Sequence, residues 1–570
     1  MIILGLYGGF DWNANQSYDS GGNPLWTHDS GATLFINNKH VCSISQERLT
    51  RIKNDGNFPL DSINYCLKEG NISYEDVDEI YIPSMHLGIF YRQFVDKNIE
   101  NKIKSIFPNV EFHIISHHVS HAASSVFSSN FEDGSIITLD GAGSKIFSAS
   151  YEEVNNIETN LIGYFNKKKN IFRIFNGIKN TNNFGKYYCA KSHRAYCTKI
   201  KKDIDIFDEK YRETWHGKIM GLSAYGKSDT IKNFKEYVLS KDLSYNEFPY
   251  VVLFDTRTGL RTAEQQAYIL QKNFEDALID YISELNRLSY LEDNLCLAGG
   301  CFLNVLGNSR IKKLGLNIHI PPCTNDVGLH FGAACYGLYQ HRQEIVLPKN
   351  IALLGKKYSQ KEIETELQNF NLKYKKYENF EDLCKFTAQE LNQNKIIGWF
   401  QNRSEFGPRA LGSRSLLMHP GPASNKDIMN SRVKHRENWR PFAGIILEEY
   451  LTDYFEEDFY SPYMLYSLTV KEDKREEIAA ITHVDSTCRI QTANQELYPE
   501  ITTLIKKFKE ISNIPVLLNT SFNDNGEPIV ETPSDAIKAF LNLDIDYLVL
   551  DKFIVKKEKR KKKKYSISYS

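Results

Sequence analysis

His117 and His121 stand four residues apart in ISHHVSHAASS, residues 115–125. On a helix, positions i and i+4 share one face, so both imidazoles can address a single ion. His118 falls about 100° around the same helix and is not required as a ligand. Two imidazoles need a carboxylate to finish a divalent site. Asp140, closing SIITLD, and Asp326, in PPCTNDVG, are the two candidates. Neutral imidazole with carboxylate oxygen suits zinc, iron(II) or manganese, and donor type alone does not choose among them. The small residues Ala122, Ala123, Ser124 and Ser125 leave a thin helix surface that can pack closely on a neighbour.

These residues need a frame, and the first half alternates strands with helices. IILGLY (2–7), ATLFI (32–36) and SIITLD (135–140) have strand length. Thr262 and Gln265 make a capping box, and Ala267, Leu270, Phe274, Ala277, Leu278, Tyr281, Ile282 and Leu285 repeat at helical spacing. That helix runs into NLCLAGG, a strand closing on Gly299-Gly300, the strand–turn–helix plan of nucleotide-binding α/β domains. Residues 153–216, rich in Asn, Lys and Tyr and without clear periodicity, read as an insertion over the surface. The polar stretch 11–27 reads as an extra loop. Near 345 the texture changes. A connector, 346–358, precedes helical patterns at 359–370 and 380–393 and the strand KIIGWF. The run KKEKRKKKK, within a tail at 556–570, reads as a solvated, disordered charge block. No internal repeat is visible.

With 570 residues the chain is too long for one hydrophobic core, and two domains are expected, 1–345 and 359–555. The 70 basic and 71 acidic residues balance, so net charge argues for neither a nucleic acid nor a membrane partner. The start MIILGLYGG lacks a basic n-region and a cleavage-type site, and no run of about 18 apolar residues suggests a membrane span. The ten cysteines are scattered without a CxxC pair, as expected for reduced thiols and a cytoplasmic location.

Two further groups of residues suit anions. GKIMGLSAYG sets Gly217, Gly221 and Gly226 around Lys218, where freed backbone amides and one ammonium can approach phosphate. Gly299 and Gly300 let backbone lie beside a base or ribose, and Asn304 can bond a sugar hydroxyl. There is no GxxxxGK[ST], so this is not a P-loop. In the second half Arg409, Lys434, Arg436, Arg440 and Arg489 recur among glycines, aromatics and serines rather than on a polar helix face. Guanidinium groups fork onto phosphate or carboxylate. Trp439 and Phe442 flank Arg440 and would lower the local dielectric.

In order along the chain, HHVSHAASS, LDGAG, HGKIMGLSAYG, LAGGCFLN and NDVGLHFGAA resemble the N-terminal half of the nodulation-protein U and antibiotic O-carbamoyltransferase family. SEFGPRALGSRS, KHRENWRPFA and LNTSFNDNGEPIVETPSDA continue the match, which spans roughly 28 to 545. The resemblance implies an α/β and α+β architecture. A first domain of the actin/hsp70/sugar-kinase type, like a tRNA-modification ATPase, would precede a YrdC-like second domain. It assigns His117, His121, Asp140 and Asp326 to the metal, with iron(II) favoured. WTHDSGATLF matches the family's His-Asp, making His28 a general base beside the acceptor. Lys53 falls at the family's basic position near the nucleotide or acyl phosphate. KHR at 434–436 with SFN at 521–523 resembles the KxR…SxN signature, which adds Ser521 and Asn523 to the carbamoyl phosphate site.

The implied activity is ATP-dependent O-carbamoyl transfer. Carbamoyl phosphate and ATP, with Mg²⁺, would give carbamoyl adenylate in the second domain. The metal of the first would polarise the adenylate phosphate as a Lewis acid while a small-molecule or glycan hydroxyl attacks the carbamoyl carbon. A homodimer is compatible with this scheme. Threonylcarbamoyl transfer to tRNA would want a basic face that the balanced charge does not provide. Cysteine carbamoylation in hydrogenase maturation would need a leading acylphosphatase domain and zinc-finger cysteines. A non-enzymatic ATP-binding switch has no use for an arginine-rich second half.

Overall fold

Short apolar strands gather the chain into three principal sheets. The computed structural model describes residues 1–9, 17–18, 24–25, 28–84, 101–141, 160–175, 184–201, 215–226 and 262–558. Most of the 11–27 loop and of the basic tail therefore lie outside the described residues. In the first sheet, Ile2–Tyr7 is central. Gly31–Ile36 and Lys39–Ser45 follow antiparallel on one side, and Glu79–Pro83 and Glu111–Ile115 run parallel on the other.

The second sheet repeats that order and those directions. Asp133–Leu139 is central, Asn160–Asn166 and Ile171–Ile174 are antiparallel on one side, and Asn294–Ala298 and Asn317–His319 are parallel on the other. The two halves thus share one topology that the residues themselves do not display. Strand order needs only a maintained burial pattern, so a duplication can persist after side-chain identity is gone.

Within 153–216 the described residues 160–175 and 184–201 are part of the framework rather than a surface insertion, which corrects the sequence reading there. Asn160–Asn166 pairs along the whole of Asp133–Leu139, and helix Phe184–Ile200 packs on the long helix Ala263–Arg287. The polar composition hid LIGYF, whose Leu161, Ile162 and Phe165 are buried. Thr262 and Gln265 form the expected capping box of the long helix.

The second half builds a nine-stranded mixed sheet from Tyr374–Lys376 to Phe553–Lys556, with Ile397–Phe400, Arg414–Met418, Val516–Ser521 and Ala443–Leu447 near its centre. Helices Gln360–Asn369 and Phe380–Asn392 start at Ser359 and Asn379, whose side chains cap them. The connector is docked rather than loose. Val346 bridges to Lys39, and Leu353 and Leu354 are buried. The architecture is mixed α/β throughout. No described helix is long and apolar enough to cross a membrane.

One helix fixes the frame of the first half. Leu329–Gln340 packs on both Ile2–Tyr7 and the helix His117–Ser128. Two glycines allow this approach. A β-carbon on Gly5 would stand 1.9 Å from the His330 oxygen, and one on Gly332 would stand 1.9 Å from the Ser120 oxygen. Of the thin surface expected on His117–Ser128, Ser124 meets this neighbour, beside Ser120, while Ser125 turns to the His319 oxygen.

Candidate active site

Three chain segments converge where the strands of both sheets end, the usual ligand crevice of open α/β sheets. His117 opens its helix, with Ser116 as the N-cap. Asp140 follows Asp133–Leu139, and Asp326 starts the turn that leads into Leu329–Gln340. His121 Nε2 lies 3.0 Å from Asp140 Oδ2 and 3.4 Å from Asp326 Oδ1, and His117 Nε2 lies 3.5 Å from Asp326 Oδ1. The four donor atoms all fall within 4.8 Å of one another. Donors about 2.0–2.1 Å from a tetrahedral ion stand about 3.4 Å apart, so the quartet fits a divalent cation. His118 turns away and pairs its Nδ1 with Thr138 Oγ1 at 2.6 Å.

The electrostatics point the same way. Burial disfavours charge on the His121 ring, yet its bonds to Asp140 and Asp326 push its pKa up to about 9. Burial also works against the Asp326 carboxylate, but the facing His117 and His28 hold it well below the usual range. Protons on imidazole do here what a cation would do in their place.

The supporting shell went unread in the sequence. Tyr7 donates its hydroxyl to Asp326 Oδ2 at 2.9 Å, and Gly300 N donates to Asp140 Oδ2 at 2.8 Å. Gly299 has φ +106°, and a β-carbon there would stand 2.1 Å from the Leu139 oxygen. Its glycine turn therefore seats Asp140. His28 places Nδ1 3.2 Å from Asp29 Oδ2 and Nε2 3.8 Å from Asp326 Oδ2. Asn325 Nδ2 donates to the same Asp29 oxygen at 2.9 Å. An imidazole with a carboxylate at its Nδ1 therefore faces the Asp326 carboxylate. Asp29 is the residue next to His28, and a His-Asp dipeptide is too common a signal to find it by.

Other expected residues have different surroundings. Lys53 pairs with buried Glu47 at 3.2 Å. Asn304 spends its amide on structure. Its oxygen caps helix Val305–Lys312 through Gly307 N and accepts from Gln271 Nε2, and its nitrogen donates to Gln271. Gly221 is packed under Pro441, where a β-carbon would stand 3.0 Å from Cδ. Lys218 reaches the second half. Its Nζ is 2.9 Å from Glu437 Oε1 and 2.8 Å from the Tyr196 hydroxyl.

The expected anion residues of the second half do assemble. Lys434 ends a π-helical turn, Asn430–Lys434, and donates to Ser521 O (2.6 Å) and Oγ (3.2 Å) and to Asn523 O (3.0 Å) and Oδ1 (2.6 Å). Arg436 bonds Asn430 Oδ1 at 3.0 Å and lies over the Phe442 ring at 4.3 Å. The aromatic walls serve Arg436 and Lys199 (5.2 Å over Trp439), where Arg440 was expected. Arg440 Nη1 is 3.7 Å from Glu437 Oε2. Arg409 sits on a loop gathered by buried Glu405, whose Oε1 accepts from Leu411, Ser413 and Arg414 N at 2.8, 2.9 and 3.0 Å.

These cations oppose one another. Burial first, then the neighbouring arginines, lower the pKa of Arg409, Lys434 and Arg436. Arg489 is pushed down to about 10, again chiefly by burial, and Arg440 adds to it. Lys434 is buried and the four arginines are partly so, and like charges gathered there are costly unless an anion joins them.

A family model described as Carbamoyltransferase N-terminus matches residues 21–111 and 89–335, and one described as Carbamoyltransferase C-terminus matches 388–557. Nodulation protein NolNO of Sinorhizobium fredii is 29% identical, covering 98% of this chain and 83% of its own length. The 3'-hydroxymethylcephem-O-carbamoyltransferase of Amycolatopsis lactamdurans is 31% identical over 56% of this chain and 61% of its own. Full-length HypF, solved in a phosphate- and nucleotide-bound form, aligns with TM-score 0.34 and 12% identity over 60% of this chain and 56% of its own. By the two matched models and these relatives, the chain belongs to the carbamoyltransferase family.

Proposed function

We propose that this enzyme is an ATP-dependent O-carbamoyltransferase that uses carbamoyl phosphate and passes through carbamoyl adenylate to a hydroxyl acceptor. The observation that carries the proposal is the pairing of two unlike sites in one chain. One is a pocket of mutually repelling cations at Arg409, Lys434, Arg436, Arg440 and Arg489, and the other is the imidazole–carboxylate quartet beside His28.

In the cation pocket, carbamoyl phosphate loses its phosphate to water. The carbamate oxygen then takes the α-phosphoryl group of ATP, and pyrophosphate leaves. The guanidinium groups bind the phosphates and offset the charge that develops on the leaving oxygens. Ser521 and Asn523 fix the Lys434 ammonium. Carbamate is a poor electrophile, and adenylation supplies a better leaving group.

At the second site, His28 takes the proton from the acceptor hydroxyl while Asp29 holds its ring. The acceptor oxygen bonds to the carbamoyl carbon and AMP departs. His117, His121, Asp140 and Asp326 would hold the divalent ion, which supplies Lewis-acid charge at the adenylate phosphate. The matching topology of the two five-stranded sheets supports reading the first half as an actin/hsp70-type ATPase frame. The meeting of Lys434 with Ser521 and Asn523 supports a YrdC-like reading of the second.

The relative named for cephem carbamoylation favours a small-molecule acceptor. The test is incubation of the purified chain with ATP, carbamoyl phosphate and a panel of hydroxyl compounds. A mass gain of one carbamoyl group, absent without either co-substrate, is expected. Pyrophosphate release that ignores carbamoyl phosphate would contradict the proposal.

A further inference from the structure

The first sheet has a second group of metal-type side chains at its other edge, where the parallel strands begin. Glu79 and Glu111 open their strands and face each other directly in register, as do Tyr81 and His113 two residues on. Residues two apart on a strand share a face, so both carboxylates and the imidazole project from one side. His341, the C-cap of helix Leu329–Gln340, reaches the same place. We infer that Glu79, Glu111 and His113, with His341 bonded to Glu79 beside them, form a second divalent-cation site of the zinc class.

The distances support ligation. His113 Nε2 stands 3.4 Å from Glu79 Oε2 and 3.7 Å from Glu111 Oε1. Its Nε2 is buried and makes no hydrogen bond among the described residues. That spacing is long for a hydrogen bond and close to the donor–donor separation around a tetrahedral ion with bonds of about 2.0–2.1 Å. His341 Nε2 hydrogen-bonds Glu79, at 2.8 Å from Oε1 and 2.9 Å from Oε2, and so holds that carboxylate in place. Two carboxylates opposed across neighbouring strands repel, and a cation between them removes that cost. One imidazole with carboxylate oxygens is a donor set that suits zinc among divalent ions.

The surroundings hold these ligands in place. Tyr81 donates its hydroxyl to Glu79 Oε2 at 2.9 Å, and its ring stacks on His113 with centroids 4.6 Å apart. Glu79 is only 13% exposed, while Glu111, at 71%, is open to solvent. An ion here would tie the starts of two strands to the end of the helix that Asp326 precedes. Its role is to brace the frame, and it takes no part in the chemistry.

The test strips the full chain with a chelator, titrates it with zinc alone and counts bound ions by mass spectrometry after gel filtration. Wild type should bind two ions, one per cluster, and the double variant His113→Ala/His341→Ala should bind one. His121→Ala should also bind one, and that ion should still raise the melting temperature. Tyr81→Phe keeps every ligand and should weaken the second ion about 10-fold, as loss of an outer-shell partner does. Glu111→Gln, at an exposed position, is the variant least able to disturb folding and should weaken the same ion. Two ions retained by the double variant, or none bound by His121→Ala, would overturn the inference.

Discussion

Arg409 Nη2 donates to the main-chain oxygen of Leu303 across 3.4 Å, so a guanidinium of the cation pocket touches the segment that follows the Gly299-Gly300 turn. Gly300 N in turn bonds Asp140 Oδ2 at 2.8 Å. A short covalent path, Gly300 to Leu303, therefore joins the pocket of the second half to the imidazole–carboxylate quartet of the first. In the proposed scheme the intermediate would form beside the same segment that seats Asp140.

Arg409→Ala should cut carbamoyl-phosphate-dependent pyrophosphate release by about 100-fold or more, the scale for losing one preorganised charge donor. Transfer from supplied carbamoyl adenylate should survive. Parallel assays of the two half-reactions read this directly.

His28→Ala should lower transfer by about 10²–10⁴-fold, as expected for a lost general base. Asp29→Asn should reproduce part of that loss in kcat with little change in KM for the acceptor, because the ring remains but is no longer held. Pyrophosphate release is the control for both variants and should not move.

How much of this was legible in the sequence depends on the range over which each residue acts. The His pair, the capping box at Thr262 and the KHR and SFN segments are local signals: the pair lies on a helix, the box forms, and Lys434 bonds Ser521. Tyr7 reaches Asp326 across 319 positions and Asn325 reaches Asp29 across 296, so no window of sequence contains either relationship. Asn160–Asn166 was hidden by its polar neighbours, and the repeated sheet by the loss of everything except strand order. Asn304 shows the converse. An asparagine after a glycine turn suits a sugar hydroxyl in the abstract, but here it caps the next helix.

Gly332→Val should destabilise the first half by about 1–3 kcal/mol, the usual cost of overpacking, because the Ser120 oxygen lies where the β-carbon must go. Urea unfolding should show the lower midpoint, and the quartet should lose metal affinity with it as the two helices part.

Glu405→Gln removes the charge that gathers the Leu411, Ser413 and Arg414 amides. A loss of about 1.5–3 kcal/mol follows from weakening charge-assisted bonds at a buried site. Pyrophosphate release should fall with it, since Arg409 sits on the same loop.

The division of labour between the two sites is tested most directly by one assay on His121→Ala: pyrophosphate released from ATP in the presence of carbamoyl phosphate, measured beside carbamoyl transfer. Near wild-type pyrophosphate release with transfer abolished is the predicted result. Equal loss of both steps would contradict the account.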